Sequence, residues 1–403
     1  MPPIPSAAAP LATRATGQAS GPIGPPATIG ILGGGQLGRM IGFAARSMGY
    51  RLVVLDPDPE CPAAAVADEV VVGRYDDVDA ALALATMADV VTYELEHVSA
   101  DLVTRLEWDW PVRPDRRALE VTQDRLAERR FLESAGASVA PWSEVHSADD
   151  VRRAFQRHGG PLRLKATRGG YDGRGQVRIT EPGAIDAAVD HMGTAAEVPM
   201  LAERELDFEA ELSVICTRGL DRHARTFPVA RNRHDAGILV ESISPAPIAP
   251  AIAKQAADLV HGLVDALDLV GTLTAELFLL RDGSLVVNEL APRVHNTGHW
   301  TTEACRTSQF EQHVRAICGL PLGSPDQHTP AALVNLLGNG TERDARVTGV
   351  ADALADDGVS VHLYDKRRVF ERRKMGHVVA LDPAGPEAAL GRARDAAARI
   401  GWA

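Results

Sequence analysis

The sequence predicts a multidomain chain of mixed α/β and α+β class: a parallel, Rossmann-like α/β unit, an α+β unit on antiparallel strands, and a small C-terminal unit. Three observations predict it. Short apolar runs at Thr28–Leu32, 51–55, 70–72 and Val90–Tyr93 alternate with helical periodicity over 37–48 and Val78–Met87, the pattern of a parallel sheet. From residue 122 the texture changes: a charged helical stretch (123–135), an apolar run (161–166), a glycine-rich loop and Gln176–Ile179 precede an alternating strand (209–217). A helical segment (251–267) and a hairpin pattern (271–290) complete that unit. Beyond residue 330 short strands lead to a final Ala- and Arg-rich helix. The expected divisions are therefore a disordered tail at 1–27, then 28–121, 122–329 and a closing unit at 330–403.

Composition narrows the function classes. The 403 residues are 45% apolar and 24% charged, ordinary for a soluble globular protein, with a formal charge of −12. That charge argues against nucleic acid or an anionic membrane as a bulk partner. Cys61, Cys216, Cys305 and Cys318 are scattered without a Cys-x-x-Cys pair, so a reducing cytoplasm is expected rather than a disulfide framework or zinc site. No apolar run approaches the roughly 20 residues that span a bilayer. Residues 1–27 are Pro- and Ala-rich, carry Arg14 as their one charge, and read as disordered rather than as a targeting peptide.

The first unit carries a false lead. Gly33-Gly34-Gly35-Gln36-Leu37-Gly38 satisfies G-x-G-x-x-G between a strand and a helix, and Asp56 ends the next strand, where an acid would hold a dinucleotide ribose. A nicotinamide oxidoreductase follows from this unit alone. Glycine turns at helix N-termini, however, offer N–H groups to any phosphate.

The second unit points to a nucleotide. Lys165 ends a strand and precedes Arg168-Gly169-Gly170-Tyr171-Asp172-Gly173-Arg174-Gly175-Gln176, a glycine-rich flap bracketed by cations and suited to phosphates. No Gly-Lys-Ser/Thr closes it, so it is not a Walker loop. A two-residue turn at Asp282-Gly283 would pair Arg281 with Ser284, Leu280 with Leu285, Phe278 with Val287, and Glu276 with Glu289. Two carboxylates facing each other at ~5 Å need compensation. Mg²⁺, with Asn288 nearby, supplies it, since Mg²⁺ takes one or two carboxylates plus substrate phosphates.

At these residues a family resemblance enters. Gly169–Gln176 and Asn288-Glu289-Leu290-Ala291-Pro292-Arg293-Val294-His295-Asn296-Thr297-Gly298-His299 closely resemble the ATP-grasp enzymes of the 5-(carboxyamino)imidazole ribonucleotide synthase family. Gly30–Met40 is similar to that family's start, and Tyr364-Asp365-Lys366 with Arg373-Lys374-Met375-Gly376-His377 to its end. The resemblance implies an ATP-grasp fold in which ATP phosphorylates bicarbonate to carboxyphosphate, the carboxyl donor to the exocyclic amine of aminoimidazole ribonucleotide in purine synthesis. It implies that Arg125 and Lys165 hold ATP phosphates under Gly170–Gln176, and that Glu203, Arg204, Glu205 and Leu206 lie along the adenine. Glu211 would take the ribose, His234 would line the pocket, and Glu276 and Glu289 would bind Mg²⁺ beside Asn288. Arg293, His295 and Asn296 would hold bicarbonate and the amine. Gln36, Leu37 and the turn amides, with Glu94, would contact the ribonucleotide, and Lys366 and Arg373 its 5′-phosphate. A homodimer is implied as well.

Lys366, Arg367, Arg368, Arg372, Arg373 and Lys374 otherwise read as a solvated charged hairpin. Arg231-Asn232-Arg233 stands before His234 where relatives often carry an acid. Competing readings are a sibling ligase, such as a formate-dependent glycinamide ribonucleotide formyltransferase or a biotin carboxylase, the nicotinamide oxidoreductase above, and a sensor that binds ATP without turnover.

Overall fold

A computed structural model describes residues 21–169, 175–193 and 199–403. Residues 1–20 of the expected tail and Gly170, Tyr171, Asp172, Gly173 and Arg174 of the expected flap lie outside the described residues. The tail boundary is corrected. Ile23 N donates to Cys318 O at 2.8 Å and Ile23 O accepts from the Tyr50 hydroxyl at 2.6 Å, so residues 21–27 are tied to the fold.

The first unit is a four-stranded parallel sheet in the order Glu69–Val72, Arg51–Asp56, Thr28–Leu32, Val90–Tyr93. Its helix Gln36–Ser47 buries Leu37, Met40, Ile41 and Ala45, one stripe at helical spacing, against that sheet. The same core takes in Phe310, Val314 and Ile317 from the helix Gln309–Ile317, which seats this unit on the next.

The expected helix over 123–135 is Arg125–Ser134, and a separate helix, Arg116–Gln123, precedes it. Asp124 breaks them: its extended backbone ends the earlier one, and its carboxylate caps the later by accepting from Leu126 N and Ala127 N. A four-stranded antiparallel sheet follows, ordered Trp142–Val145, Met200–Arg204, Leu162–Ala166, Gln176–Ile179. Its apolar face is covered by the helices Ala148–His158 and Ile185–Met192.

A nine-stranded sheet completes the fold. Its path runs Leu285–Ala291, Gly271–Leu280, Phe208–Arg218, Ala230–Asp235, Ile238–Ser244, and then Ala331–Leu337, Lys374–Leu381 and Val359–Leu363, while the ninth strand, Ala224–Thr226, pairs with Phe208–Arg218 off that path. The last three strands on the path come from the expected closing unit, so that unit extends the central sheet instead of standing apart. Ile238–Ser244 and Ala331–Leu337 pair directly across the expected boundary.

The hairpin register also differs from the sequence count. Leu280 N bonds Ser284 O at 2.9 Å around a three-residue turn in which Gly283 adopts φ +84°. Leu279 therefore faces Leu285 and Phe278 faces Val286. A bulge between Glu276 and Leu277 then shifts the ladder back, and Glu276 faces Glu289 after all. The longer turn and the bulge offset each other.

Candidate active site

Glu276 and Glu289 lie opposite each other within the antiparallel strands Gly271–Leu280 and Leu285–Ala291. Glu276 is the more enclosed; Glu289 keeps 42% of its side-chain surface open to the cleft. Burial and the neighbouring Glu289 charge push Glu276 up to about 7. Burial acts the same way on Glu289, but Arg125, Lys165 and His234 overcome it and hold its carboxyl below the usual range. Arg125 Nη1 stands 3.5 Å from Glu289 Oε2. The two carboxylates thus differ: cations hold Glu289 ionised, while burial and the Glu289 charge disfavour a second charge on Glu276. Among the described residues no three His, Cys, Asp or Glu side chains converge to form a self-sufficient metal cluster. Two facing carboxylates in a cleft lined by cations suit a Mg²⁺ ion completed by phosphate oxygens.

His234 extends this edge. Its Nδ1 bonds Glu211 Oε2 at 2.6 Å, and its Nε2 lies 3.8 Å from Glu276 Oε1. Burial disfavours its charge, yet the bond to Glu211 and the fields of Glu276 and Glu289 raise it to about 8. Glu211, expected at the ribose, is engaged by His234 here.

Lys165 is fully enclosed, and its ammonium bonds Glu203 Oε2 at 2.5 Å. Arg129 bonds the other Glu203 oxygen at 2.8 Å, Glu128 at 2.9 Å and the Asn288 carbonyl at 2.6 Å. Glu128 in turn accepts from Leu290 N at 2.7 Å. This chain ties the small sheet to the strand carrying Glu289. Lys165 and Arg129 outweigh burial and bring Glu203 down to about 2. The Glu203 carboxylate is therefore occupied within the protein. Glu205 pairs with Arg163 and Arg178, Arg204 is exposed and Leu206 is half-buried, so this segment can meet a planar base only through backbone and apolar edge. Gln176 pairs with Lys165 in the ladder, and Gly175 O accepts from Ala166 N, fixing both ends of the flap.

Arg129 escapes a reading of the sequence because it looks like one of several surface charges. The available signal is spacing: Leu126, Arg129 and Leu132 share the buried face of one helix.

Arg293, His295 and Asn296 follow the metal strand into a buried loop. Arg293 Nη2 bonds Glu96 Oε1 at 2.7 Å, and its Nε has no hydrogen-bond partner among the described residues. His295 lies 3.8 Å from Glu276; burial first, then Arg293 and Lys374, keep it well below its ordinary pKa and neutral. Gln309 holds the His295 backbone from both sides, accepting from its N–H and donating to its carbonyl. Both amide atoms of Asn296 are buried without a protein partner among the described residues. Unpaired buried polar atoms are costly, so their clustering marks a place where a polar ligand belongs.

The glycine turn behaves differently from expectation. Glu94 accepts from Gly35 N at 2.5 Å and from Gly38 N at 2.6 Å, and Asp56 accepts from Gly34 N at 2.8 Å. The amides expected to face a ribonucleotide already bond these carboxylates. A Cβ on Gly35 would stand 2.4 Å from Glu94 Oε1, so glycine is what lets the carboxylate close on the turn. Asp56 also accepts from the Tyr75 hydroxyl and Asp58 N, leaving it nothing for a dinucleotide ribose. Leu37, expected against substrate, buries its side chain in the core.

Gln36 does face the C-terminal segment: Lys366 Nζ donates to Gln36 Oε1 at 2.7 Å. Arg373 donates to the Arg368 carbonyl and lies over Phe370. Arg367, Arg368 and Arg372 pair with Glu60, with Glu342 and Asp344, and with Asp235. Lys374, grouped above with the solvated cations, is half-buried, and its charge is felt at Glu276, His295 and His299. It belongs with the site. All four cysteines are buried and free. Among the described residues no helix is long and apolar enough to cross a membrane.

Comparison with known proteins fits this geometry. Family models match in three consecutive stretches: the ribonucleotide synthetase preATP-grasp domain over residues 26–123, the ATP-grasp domain over 130–310, and the phosphoribosylaminoimidazole carboxylase C-terminal domain over 331–389. N5-carboxyaminoimidazole ribonucleotide synthase from Brucella melitensis is 42% identical over 359 residues, covering 89% of this chain and 97% of its own. The crystal structure of an N5-carboxyaminoimidazole ribonucleotide synthetase in complex with ADP superposes with a TM-score of 0.85 at 40% identity, over 94% of this chain and 98% of that one. The Aspergillus clavatus synthase in complex with ADP and 5-aminoimidazole ribonucleotide gives a TM-score of 0.82 at 28% identity, over 93% and 99%. The chain belongs to the N5-carboxyaminoimidazole ribonucleotide synthase family of ATP-dependent, ATP-grasp ligases.

Proposed function

We propose that this protein carboxylates the exocyclic amine of 5-aminoimidazole ribonucleotide, using ATP and bicarbonate and releasing ADP and phosphate, in purine synthesis. The observation that carries this reading is the placement of Arg293, His295 and Asn296, with unpaired buried polar atoms, directly beside the facing Glu276–Glu289 pair.

Arg125 and Lys165 hold the ATP phosphates, and Glu203–Leu206 flanks the adenine. Glu276 and Glu289 hold Mg²⁺, which when bound neutralises charge on the phosphates. A bicarbonate oxygen attacks the γ-phosphorus and the bond to the ADP oxygen breaks, giving carboxyphosphate. Arg293 offers a planar cation to the charge that gathers there, and a buried fixed donor is worth more than one in water. Carboxyphosphate gives up phosphate, the amine nitrogen bonds the carboxyl carbon, and the amine loses a proton. His295 and Asn296 orient the amine. Gln36 and Glu94 stand on the ribonucleotide's side of the site, and Lys366 and Arg373 take its 5′-phosphate. We further infer a cytoplasmic homodimer, in keeping with four free buried thiols and the family likeness.

ADP release measured with ATP and bicarbonate tests the reading. Turnover that requires aminoimidazole ribonucleotide is expected. Turnover with formate and glycinamide ribonucleotide instead would favour the sibling formyltransferase.

A further inference from the structure

Two motifs that mark the family end in histidines with no part in the reaction above. His299 closes the loop of Arg293, His295 and Asn296, and His377 lies on the strand Lys374–Leu381, which Arg373 immediately precedes. Both are fully buried. Their rings stack at 4.5 Å with planes 14° apart. His362 continues the stack beyond His377 at 4.6 Å and 17°, and Phe310 continues it beyond His299 at 5.5 Å and 22°. Four rings thus form one column. Phe310 packs in the core of the first unit with Met40 and Ile41, His299 sits in the catalytic loop, and His377 and His362 lie on C-terminal strands. All three units of the chain meet in it.

We propose that this column is a positioning device for the carboxylation site: it locks the loop of Arg293, His295 and Asn296 to the strand that begins at Lys374, just after Arg373, so that both sides of the substrate close in one register. The proposal rests on the reading of the site given above.

Three features support it. Parallel aromatic rings in offset contact hold relative position with little freedom, which suits a joint between segments. Two of its rings are pinned: His377 Nδ1 bonds the Tyr364 hydroxyl at 2.8 Å, and His362 Nε2 bonds Glu303 Oε1 at 2.6 Å. Tyr364 opens the segment that carries Lys366. The two central histidines also stay uncharged. Burial brings His299 down to about 3, aided by His362 and Lys374, and holds His377 well below its ordinary range, so no imidazolium repulsion parts these two rings at neutral pH.

The test compares His299→Ala and His299→Phe in the full-length enzyme, after circular dichroism and thermal melting establish that each folds. Removing the ring should lower kcat by about ten- to a hundredfold, the scale of a misplaced catalytic group, and raise KM for aminoimidazole ribonucleotide. ADP affinity by calorimetry should stay within about twofold, because the adenine lies elsewhere, and ADP released per product should exceed one as carboxyphosphate escapes to water. Phe, which keeps the stack, should restore kcat to within about threefold of wild type. A folded His299→Ala enzyme with normal kcat and KM overturns the proposal. So does a parallel loss of ADP affinity, which would mean general softening, or a Phe variant as poor as Ala, which would mean the ring nitrogens matter. If His299→Ala does not fold, His362→Ala at the half-buried end decides: a smaller loss of the same pattern supports the column, and unchanged kinetics overturns it. Failure of the site reading is separable, because it would appear as wild-type enzyme that ignores aminoimidazole ribonucleotide.

Discussion

The glycine turn of the first unit and the carboxylate cleft of the second both read from sequence as anion or cation sites, and they differ in what the fold has already supplied. In the turn, Gly34, Gly35 and Gly38 N–H groups bond Asp56 and Glu94, so the positive end of the helix is met by the chain's own carboxylates. In the cleft, Glu276 faces Glu289, and burial with that neighbouring charge disfavours a second negative charge there unless a cation enters. A site for a ligand is where the fold stops short of satisfying its own polar groups, not merely where a motif matches.

The sharpest way to break this comparison is Glu289→Gln. Removing one anionic oxygen pair from the Mg²⁺ position should lower turnover on the order of a thousandfold while the fold persists. ADP release across a Mg²⁺ titration checks it, and wild-type-like rates at ordinary Mg²⁺ would remove the pair from the mechanism.

Glu203 provides a second contrast, because its charge is fully compensated. Its pKa near 2 lies below its unfolded value, so the stability it contributes is present above pH 4.5 and is lost as pH falls toward 2. That span corresponds to roughly 3 kcal/mol. The wild type should lose thermal stability as pH falls below about 4.5, and Glu203→Gln should be less stable at neutral pH with a flatter acid limb. Identical acid limbs in the two proteins would show that the network with Lys165 and Arg129 is not the source.

Much of this is legible in sequence, for physical reasons. Thr28–Leu32, Val78–Met87, Val90–Tyr93 and Gln176–Ile179 have the same bounds in sequence and structure, because their apolar periodicity is local to each segment. Glu276 and Glu289 are found because hairpin counting is local. The count succeeds through two errors, since a turn with Gly283 at positive φ and a bulge beside Glu276 depend on ladder geometry that composition does not encode. Arg129, Glu96, Lys374 and the histidine column are not legible: each acts through a partner far away in the chain, as Arg129 does through Glu203 and Arg293 through Glu96.

Arg293→Lys probes the cleft more gently. Lysine keeps a charge beside Glu96 but loses the planar fork, so turnover should fall about a hundredfold, the scale of one lost oxyanion donor. Nucleotide affinity by calorimetry should survive. Full recovery at high bicarbonate would mean that Arg293 only binds.

The smallest effect is expected on the other side of the comparison, at Asp56. Its two carboxylate oxygens accept from Gly34 N, the Tyr75 hydroxyl and Asp58 N. Asparagine has the same shape but one accepting oxygen, so its NH₂ must face at least one of these donors. A buried donor left without an acceptor costs about 1–3 kcal/mol, and Asp56→Asn should lower unfolding stability by that amount. Turnover should stay within about twofold of wild type, because a lost hydrogen bond to the turn acts on the ground fold and not on the transition state. If the turn were a dinucleotide site, the same change would alter the group holding the ribose. Reduced nicotinamide fluorescence would then report binding to wild type and weaker binding to the variant. Chemical denaturation beside a fluorescence titration separates the two. A stability loss with no dinucleotide signal in either protein makes Asp56 a brace for the turn, and dinucleotide binding that the substitution weakens would reverse that assignment.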